Sequence, residues 1–284
     1  MKRTSFYKAI FVATFFLVLT KIHAQELRVG TYNLRNENTY DTGNLWTDRC
    51  THVADLIKYH DFDIFGVQEA LQHQLITLKA ALPEGFAYYG IGRDDGKEAG
   101  EHEAIFYKTD KFEVLKSGDF WLSATPNVPS KSWDAPCCNR MCTWVEMKVK
   151  SSGKIFFMFN VHYDYEKDYA RNQSSKLMLQ KIPAIAGNAP VIMTGDLNGG
   201  NNSEWYKLLA NSGRIRDTYV SAKEPYYPRG SFNGFGKVND GELIDHIFVS
   251  KEFSVKSWAV LSDTYDMGKY PSDHCPVFSV VDFN

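Results

Sequence analysis

The stretch that decides the fold reads Pro190-Val191-Ile192-Met193-Thr194-Gly195-Asp196-Leu197-Asn198-Gly199. Val191 to Met193 form a short apolar run, closed by Pro190 before it and Gly195 after it. Such a run reads as a buried strand ending abruptly in a tight turn. Asp196 and Asn198 follow the turn two residues apart, and alternate side chains of an extended chain share a face. The spacing predicts a carboxylate and a carboxamide directed together into a cleft at the strand's end. Gly, Asp and Asn are also ordinary turn residues, so the stretch alone reads equally as a solvated loop. The rest of the chain has to decide.

Upstream, Glu26 to Asn33 alternates weakly and reads as a first strand. Trp46 to Tyr59 carries Val53, Leu56 and Ile57 at helical spacing, Phe62 to Gln68 is a short apolar strand, and Leu71 to Leu82 is a second helix stopped by Pro83. Strand, helix, strand, helix suggests parallel pairing through a crossover. Phe86 to Ile91, Ala104 to Tyr107, Phe112 to Leu115, Met141 to Val149 and Ile155 to Val161 read as strands separated by turns. Tyr169 to Ala186 returns to helix. Downstream of Pro190 come a short helix near Glu204 to Leu209 and a Gly/Asn/Pro-rich loop from Pro225 to Asp240. Three strands follow, beginning near Leu243, Ser254 and Pro276. The expected build is two packed mixed sheets with helices outside.

With 284 residues, 44% of them hydrophobic, the chain can bury a large core. No repeat or linker-like bias divides it. Residues 1 to 24 are set apart: Lys2, Arg3 and Lys8 precede an apolar run from Ala9 to Thr20, and Ala24 closes the segment. This has the shape of a secretory signal peptide and is short for a membrane span. One domain over 25–284, secreted or periplasmic, is expected. Removing the leader takes away four basic residues and no acidic one, so the net charge moves from -2 to -6. An acidic chain is poorly suited to bulk attraction of nucleic acid. Any polyanion must be held by a metal ion and a few local Arg or Lys side chains. Of five cysteines, the group Cys137, Cys138 and Cys142 invites a disulfide in an oxidising compartment, and an odd count leaves at least one thiol free. No Cys/His spacing suits a structural zinc.

Several candidate strands end in an acid, an amide or an imidazole. Asn33 ends the first, Glu69 follows the second, and His162 follows the run Phe156 to Val161. Asp245 and His246 interrupt Leu243 to Val249, and Asp273 and His274 precede the last strand. Each has a bland explanation: a hydrogen-bonded core histidine for His162, a turn for Asp273-His274. Asp245 resists one, because an unpaired buried carboxylate costs several kcal/mol. Repetition at strand ends favours a site, since ligands in such sheets bind outside the strands' carboxyl ends. Carboxylates and amides without thiolates suit a hard cation, Mg²⁺ with Mn²⁺ as substitute. Two imidazoles beside carboxylates suit proton transfer or donation at a phosphoryl oxygen. No Gly-x-Ser-x-Gly, Walker loop or Gly-x-Gly-x-x-Gly is present.

In Thr31-Tyr32-Asn33-Leu34-Arg35, Gln68-Glu69, Asn160-Val161-His162, Gly195-Asp196-Leu197-Asn198, Ile244-Asp245-His246-Ile247 and Ser272-Asp273-His274, the chain resembles the endonuclease/exonuclease/phosphatase (DNase I-like) family. Gly92-Arg93-Asp94-Asp95-Gly96, Phe120-Trp121-Leu122-Ser123 and Ser132-Trp133-Asp134 resemble a secreted bacterial branch of it. The resemblance implies a four-layer α/β sandwich with the cleft at one edge of both sheets. It implies Glu69 as principal metal ligand, helped by Asn33 and Asp273. It also implies Asp196 as the group that orients or deprotonates water, Asn198 on a phosphate oxygen, and His274 on the scissile phosphate, fixed by Asp245. His162 becomes the second imidazole, with Glu101 as its carboxylate partner and Glu103 as a neighbouring alternative. Arg140, Arg171 and Trp133 are candidate substrate-binding residues. Arg35 stands where abasic-site nucleases of the family have an acid, which speaks against duplex-DNA repair.

The expected activity is metal-dependent hydrolysis of a phosphomonoester or phosphodiester, a small substrate being favoured over nucleic acid. The aromatic residues Trp121, Trp133, Tyr226, Tyr227 and Phe232 support that preference. Competing readings are a nuclease on DNA or RNA, a sphingomyelinase-like lipid phosphodiesterase, and a binding module without chemistry. The complete set of polar motifs argues against the last. No protein partner and no stable membrane anchor are indicated.

Overall fold

The strand over Val191–Asp196 is central to one of two sheets, and it runs one residue past the glycine expected to end it. The computed structural model describes residues 26–226, 229–238 and 241–284. The leader read over 1–24, and Tyr227 and Asp240 of the Gly/Asn/Pro-rich loop, lie outside the described residues. In chain order the elements are β1 (Leu27–Asn33), α1 (Trp46–Tyr59), β2 (Ile64–Gln68), α2 (Gln72–Ala81), β3 (Phe86–Tyr89) and β4 (Ile105–Lys108). Then come β5 (Phe112–Trp121), β6 (Met141–Val149), β7 (Ile155–His162), α3 (Asp168–Ala186), β8 (Val191–Asp196) and α4 (Glu204–Ala210). The chain closes with β9 (Arg216–Asp217), α5 (Thr218–Ser221), β10 (Glu224–Tyr226), β11 (Asp245–Val249), β12 (Phe253–Val260) and β13 (Val277–Phe283).

One sheet has the order β10-β12-β13-β1-β2-β4-β3, the other β5-β6-β7-β8-β11-β9. β1 and β2 are parallel across the α1 crossover, and β7 and β8 are parallel across α3. The helices cover the outer faces because their apolar positions fall on one side. Val53, Leu56 and Ile57 of α1 and Leu75 and Leu78 of α2 join Phe65 and Val67 of β2 in one cluster. Met178 and Ile182 of α3 and Leu209 of α4 join Phe159 and Met193 in another. A third cluster, with Ile64, Phe156, Ile192, Phe253 and Trp258, lies between the sheets. Fully burying such a side chain contributes about 1.5–3 kcal/mol. The result is a four-layer sandwich of helices, sheet, sheet and helices.

Toward the strand ends, the layer between the sheets turns polar. Asn160 on β7 donates to the carbonyls of Val67 and Ala104 (2.8 and 3.2 Å) and accepts from Gln68 and Thr194 (2.7 and 3.0 Å). Gln68 also donates to Thr31 (3.0 Å), so three motif residues zip the two sheets together. Gly66 lies under this network, where an added Cβ would stand 2.2 Å from Asn160 Oδ1. Only glycine fits.

Four elements differ from expectation. β5 continues to Trp121 instead of stopping at Leu115, with a bulge between Val114 and Lys116. It is an edge strand with Glu113, Leu115, Lys116 and Ser117 exposed or half-exposed, and the bulge breaks the period-two pattern a reader relies on. β9, α5 and β10 are too short to show a period.

Candidate active site

The carboxyl ends of β1, β2, β7 and β8 open on the same edge of the sandwich, and the antiparallel strands β11 and β13 begin there. That topology brings Glu69, His162, Asp196 and His274 to the wall of one cleft of about 850 Å³, with Asn33 and Asp245 bonded directly to Asp196 and His274. Arg35, Glu69 and Asn198 have left-handed backbone, with φ of 56°, 64° and 47°. This conformation is uncommon and costly outside glycine. At a strand end it turns the side chain out of the sheet and into the cleft. Asp245 and His246 show the opposite use of regular geometry. As neighbours on β11 they point to opposite faces, Asp245 into the cleft and His246 outward to Asp217 (3.0 Å) and the Gly199 carbonyl (3.2 Å).

Asp196 lies between the two imidazoles, its Oδ2 3.7 Å from His162 Nε2 and 3.9 Å from His274 Nε2. The Asn198 amide donates to Asp196 Oδ1 (2.8 Å), while its side chain bonds the Tyr163 carbonyl (3.0 Å) and stands 3.2 Å from His162 Nε2. Asn33 Nδ2 donates to both Glu69 (2.9 Å) and Asp196 (3.0 Å), and its oxygen accepts from the Arg35 amide. Asn33 therefore enters this cluster as a donor that spaces two carboxylates, with one lone pair of its oxygen on the Arg35 amide. Burial, reinforced by Asp245 and opposed by His274, pushes the Asp196 carboxyl up to about 7. Burial also pushes Asp273 up to about 6, with Glu69 adding to the shift and His274 opposing it.

The two histidines differ. His274 Nδ1 is 2.8 Å from Asp245 Oδ2. Burial opposes its charge, but Asp245 outweighs that and raises the imidazole well above its ordinary value. His162 is lowered well below it, first by burial and then by the guanidinium groups of Arg140 and Arg93. Arg140 Nη1 sits 3.0 Å from His162 Nδ1, the position expected for Glu101. Glu101 is 4.0 Å away and pairs with Arg93, and it also accepts from Asn36 (2.8 Å). Behind them Glu103 is fully buried without a hydrogen-bond partner among the described residues, and burial pushes it up to about 8.

Which groups suit a cation follows from the donors. Oxygens of Glu69 and Asp196 and a His274 nitrogen lie within 4.8 Å of one another. His274 is held by Asp245 through Nδ1, and the oxygen donors for a hard cation are Glu69, with Asp196 or Asp273 beside it. Burial first, then Asp245 for the one and Glu69 for the other, raises Asp196 and Asp273, and a hard divalent ion suits such a set of buried oxygens. Arg35 supplies positive charge nearby, 3.9 Å from Glu69 and 3.8 Å from Asp273, while anchored on Asp41 (2.9 Å). Glu101, Glu103 and His162 also cluster within 4.8 Å, but the two adjacent guanidiniums make that place unsuited to a cation.

Two expected substrate residues are not brought to the cleft. Arg171 donates to the Asp164 carbonyl (2.9 Å), pairs with Asp168 and stacks on Trp205, joining α3 to α4. Trp133 packs against the apolar cluster on the outer face of the second sheet. Tyr226 sits exposed on β10, at the far edge of the first sheet. Phe232 does line the cleft, edge-on to His274 with centroids 5.2 Å apart. Sequence reasoning missed Arg93 and Asn36, and also Arg49, which is fully buried. Arg49 donates to the carbonyls of Leu34, Arg35 and Pro271 (2.9, 3.0 and 2.7 Å), fixing the two loops that carry Asn33 and Asp273. The Cys137–Cys138 pair is disulfide-linked and lines the cleft, and Cys50, Cys142 and Cys275 are buried free thiols.

Residues 30–274 match the model of the Endonuclease/Exonuclease/phosphatase family. A mannosyl-6-phosphatase of Bacteroides thetaiotaomicron VPI-5482 is 44% identical, with a TM-score of 0.87 over 90% of this chain and 100% of that one. A second structure from Bacteroides thetaiotaomicron, described as an endonuclease/exonuclease/phosphatase family protein, is also 44% identical. Its TM-score is 0.89, over 92% of this chain and 99% of that one. An uncharacterized protein of Acanthamoeba polyphaga mimivirus is 28% identical over 244 residues, 82% of this chain and 90% of the relative.

Proposed function

Because the chain belongs to the endonuclease/exonuclease/phosphatase family, we propose that it is a divalent-metal-dependent phosphoesterase acting on a small phosphorylated substrate, first of all a sugar phosphate. One observation carries the reading: a buried carboxylate, Asp196, set between two imidazoles and one hydrogen-bonded residue away from Glu69, in a cleft of small-molecule size. The 44% identical mannosyl-6-phosphatase supports a sugar phosphate. The leader-like segment 1–24 supports action outside the cytoplasm, and the oxygen-rich donors support Mg²⁺ or Mn²⁺.

Glu69, with Asp273 beside it, would hold the cation, which when bound supplies positive charge to a phosphoryl oxygen. Asp196, poised near neutrality and fixed by the Asn198 amide, accepts a proton from the attacking water. His274, charged and held by Asp245, donates from Nε2 to the charge that grows on the phosphoryl group. Asn198 keeps both Asp196 and the His162 ring in place.

The test is hydrolysis by the mature chain of sugar phosphates, p-nitrophenyl phosphate, bis-p-nitrophenyl phosphate, sphingomyelin and plasmid DNA, with EDTA, Mg²⁺ or Mn²⁺. Small phosphoesters should be turned over, EDTA should abolish the activity, and added metal should restore it. Added Mn²⁺ should raise the melting temperature more at pH 8 than at pH 5, because protons compete for Asp196 and Asp273. Full activity in EDTA, or efficient plasmid nicking that collapses between about 50 and 200 mM salt, would overturn the reading.

A further inference from the structure

Two buried arginines face the cleft from the His162 side, and the phosphoesterase reading above leaves them without a task. Arg93 is 7% and Arg140 3% exposed, yet both line the cavity. Each makes one side-chain hydrogen bond through Nη1, Arg93 to Glu101 and Arg140 to His162. Their Nη2 groups have no hydrogen-bond partner among the described residues and are not sealed from solvent. They open into the cleft. The Nε atoms of both are sealed and make no hydrogen bond among the described residues, so the guanidiniums have been desolvated without full repayment in hydrogen bonds.

Each guanidinium has one carboxylate beside it, Glu101 for Arg93 and Asp164 for Arg140, and each keeps an Nη2 for a ligand. Glu103 behind them keeps its proton at neutral pH, and His162 is neutral, so neither adds a charge to this wall. The position is held firmly: the Arg93 carbonyl accepts from the Trp121 ring nitrogen (2.7 Å) and from Asn139 (3.1 Å), and Arg140 is 4.0 Å from Asp164. A fixed pair of charged donors suits the anionic oxygens of a phosphoryl group.

We propose that Arg93 and Arg140 bind the non-bridging oxygens of a phosphomonoester dianion and make the enzyme select monoesters over diesters. This deepens the phosphoesterase reading and rests on it. A monoester above about pH 7 carries a second negative charge, its second pKa being about 6. A diester has one charge and puts an esterified oxygen and its substituent where a free oxygen would meet the arginines. The cation site and His274 act on either ester. The Arg93–Arg140 wall responds to the difference.

The experiment compares kcat/KM for p-nitrophenyl phosphate and bis-p-nitrophenyl phosphate at pH 7.5 with Mn²⁺, in the wild type, Arg93→Gln and Arg140→Gln. The wild type should favour the monoester by about 100-fold or more, and each variant should lose about 10- to 100-fold of that ratio, as expected for a charge-assisted contact. Since both side chains are buried, melting curves establish folding, and Arg93→Lys should recover part of the ratio. Inorganic phosphate, a dianion mimic, should inhibit wild-type diester hydrolysis competitively and inhibit the variants about 10-fold less. Mn²⁺-dependent turnover that favours the diester, or a ratio unchanged in folded Arg93→Gln, would overturn this inference alone. Failure to turn over either ester would overturn the phosphoesterase reading and this inference with it.

Discussion

The two sides of the cleft treat the same side chain in opposite ways. His274 and His162 both place Nε2 within 4 Å of the same Asp196 oxygen. On one side Asp245 touches the far ring nitrogen and keeps the imidazole charged. On the other, Arg140 touches it, burial dominates, and His162 is neutral while Glu103 behind it keeps its proton. A histidine's charge is thus set by one neighbour at hydrogen-bond distance, and equal motifs do not imply equal roles. His274 can stabilise developing negative charge at full strength, whereas His162 offers a neutral ring between Asn198 and Arg140.

The largest effect that could break this comparison is on turnover. His274→Ala should lower kcat by roughly 10³-fold and His162→Ala by roughly 10²-fold, because a charged donor is worth about twice a neutral one. Equal losses, or a larger loss for His162, would remove the asymmetry. Both variants should fold, since the rings sit at the open ends of strands.

A smaller effect sharpens it through stability. The Glu103 carboxyl is raised from 4.5 to about 8 in the fold, so the folded state binds its proton more tightly than the unfolded chain does. Stability is therefore lost as pH rises from about 4.5 to about 8. Glu103→Gln copies the protonated form and should be more stable than the wild type at pH 8.5, by roughly 1 kcal/mol or more. The difference should vanish near pH 4.5, which paired denaturation curves at the two pH values would show.

Most of the framework was legible because it is written in local patterns. Val53, Leu56 and Ile57 at helical spacing marked α1 to its ends, and the acids and imidazoles recurred at strand ends, where this topology gathers them. What stayed hidden depends on contacts distant in sequence. Nothing local shows that Arg93 takes Glu101 away from His162, or that Arg49 reaches Pro271, 222 residues away. Arg171 was a candidate substrate-binding residue, and only the positions of Asp168 and Trp205 show that it joins two helices. Asn33 was expected as a ligand from its motif, and only the structure shows that its oxygen also accepts from the amide of Arg35, two residues on. Trp133 showed a large aromatic residue but not the face it would bury.

The most direct test reads the protonation of the two rings. Histidine-selective ¹⁵N NMR of the metal-free protein, with His162→Gln and His274→Gln for assignment, distinguishes an imidazolium from a neutral ring. At pH 7 His274 should show both nitrogens protonated and should lose that charge only as pH rises well above the usual imidazole range. His162 should be neutral at pH 7 and stay so well below that range. Two rings titrating together near pH 6.5, or His162 charged and His274 neutral at pH 7, would contradict the account.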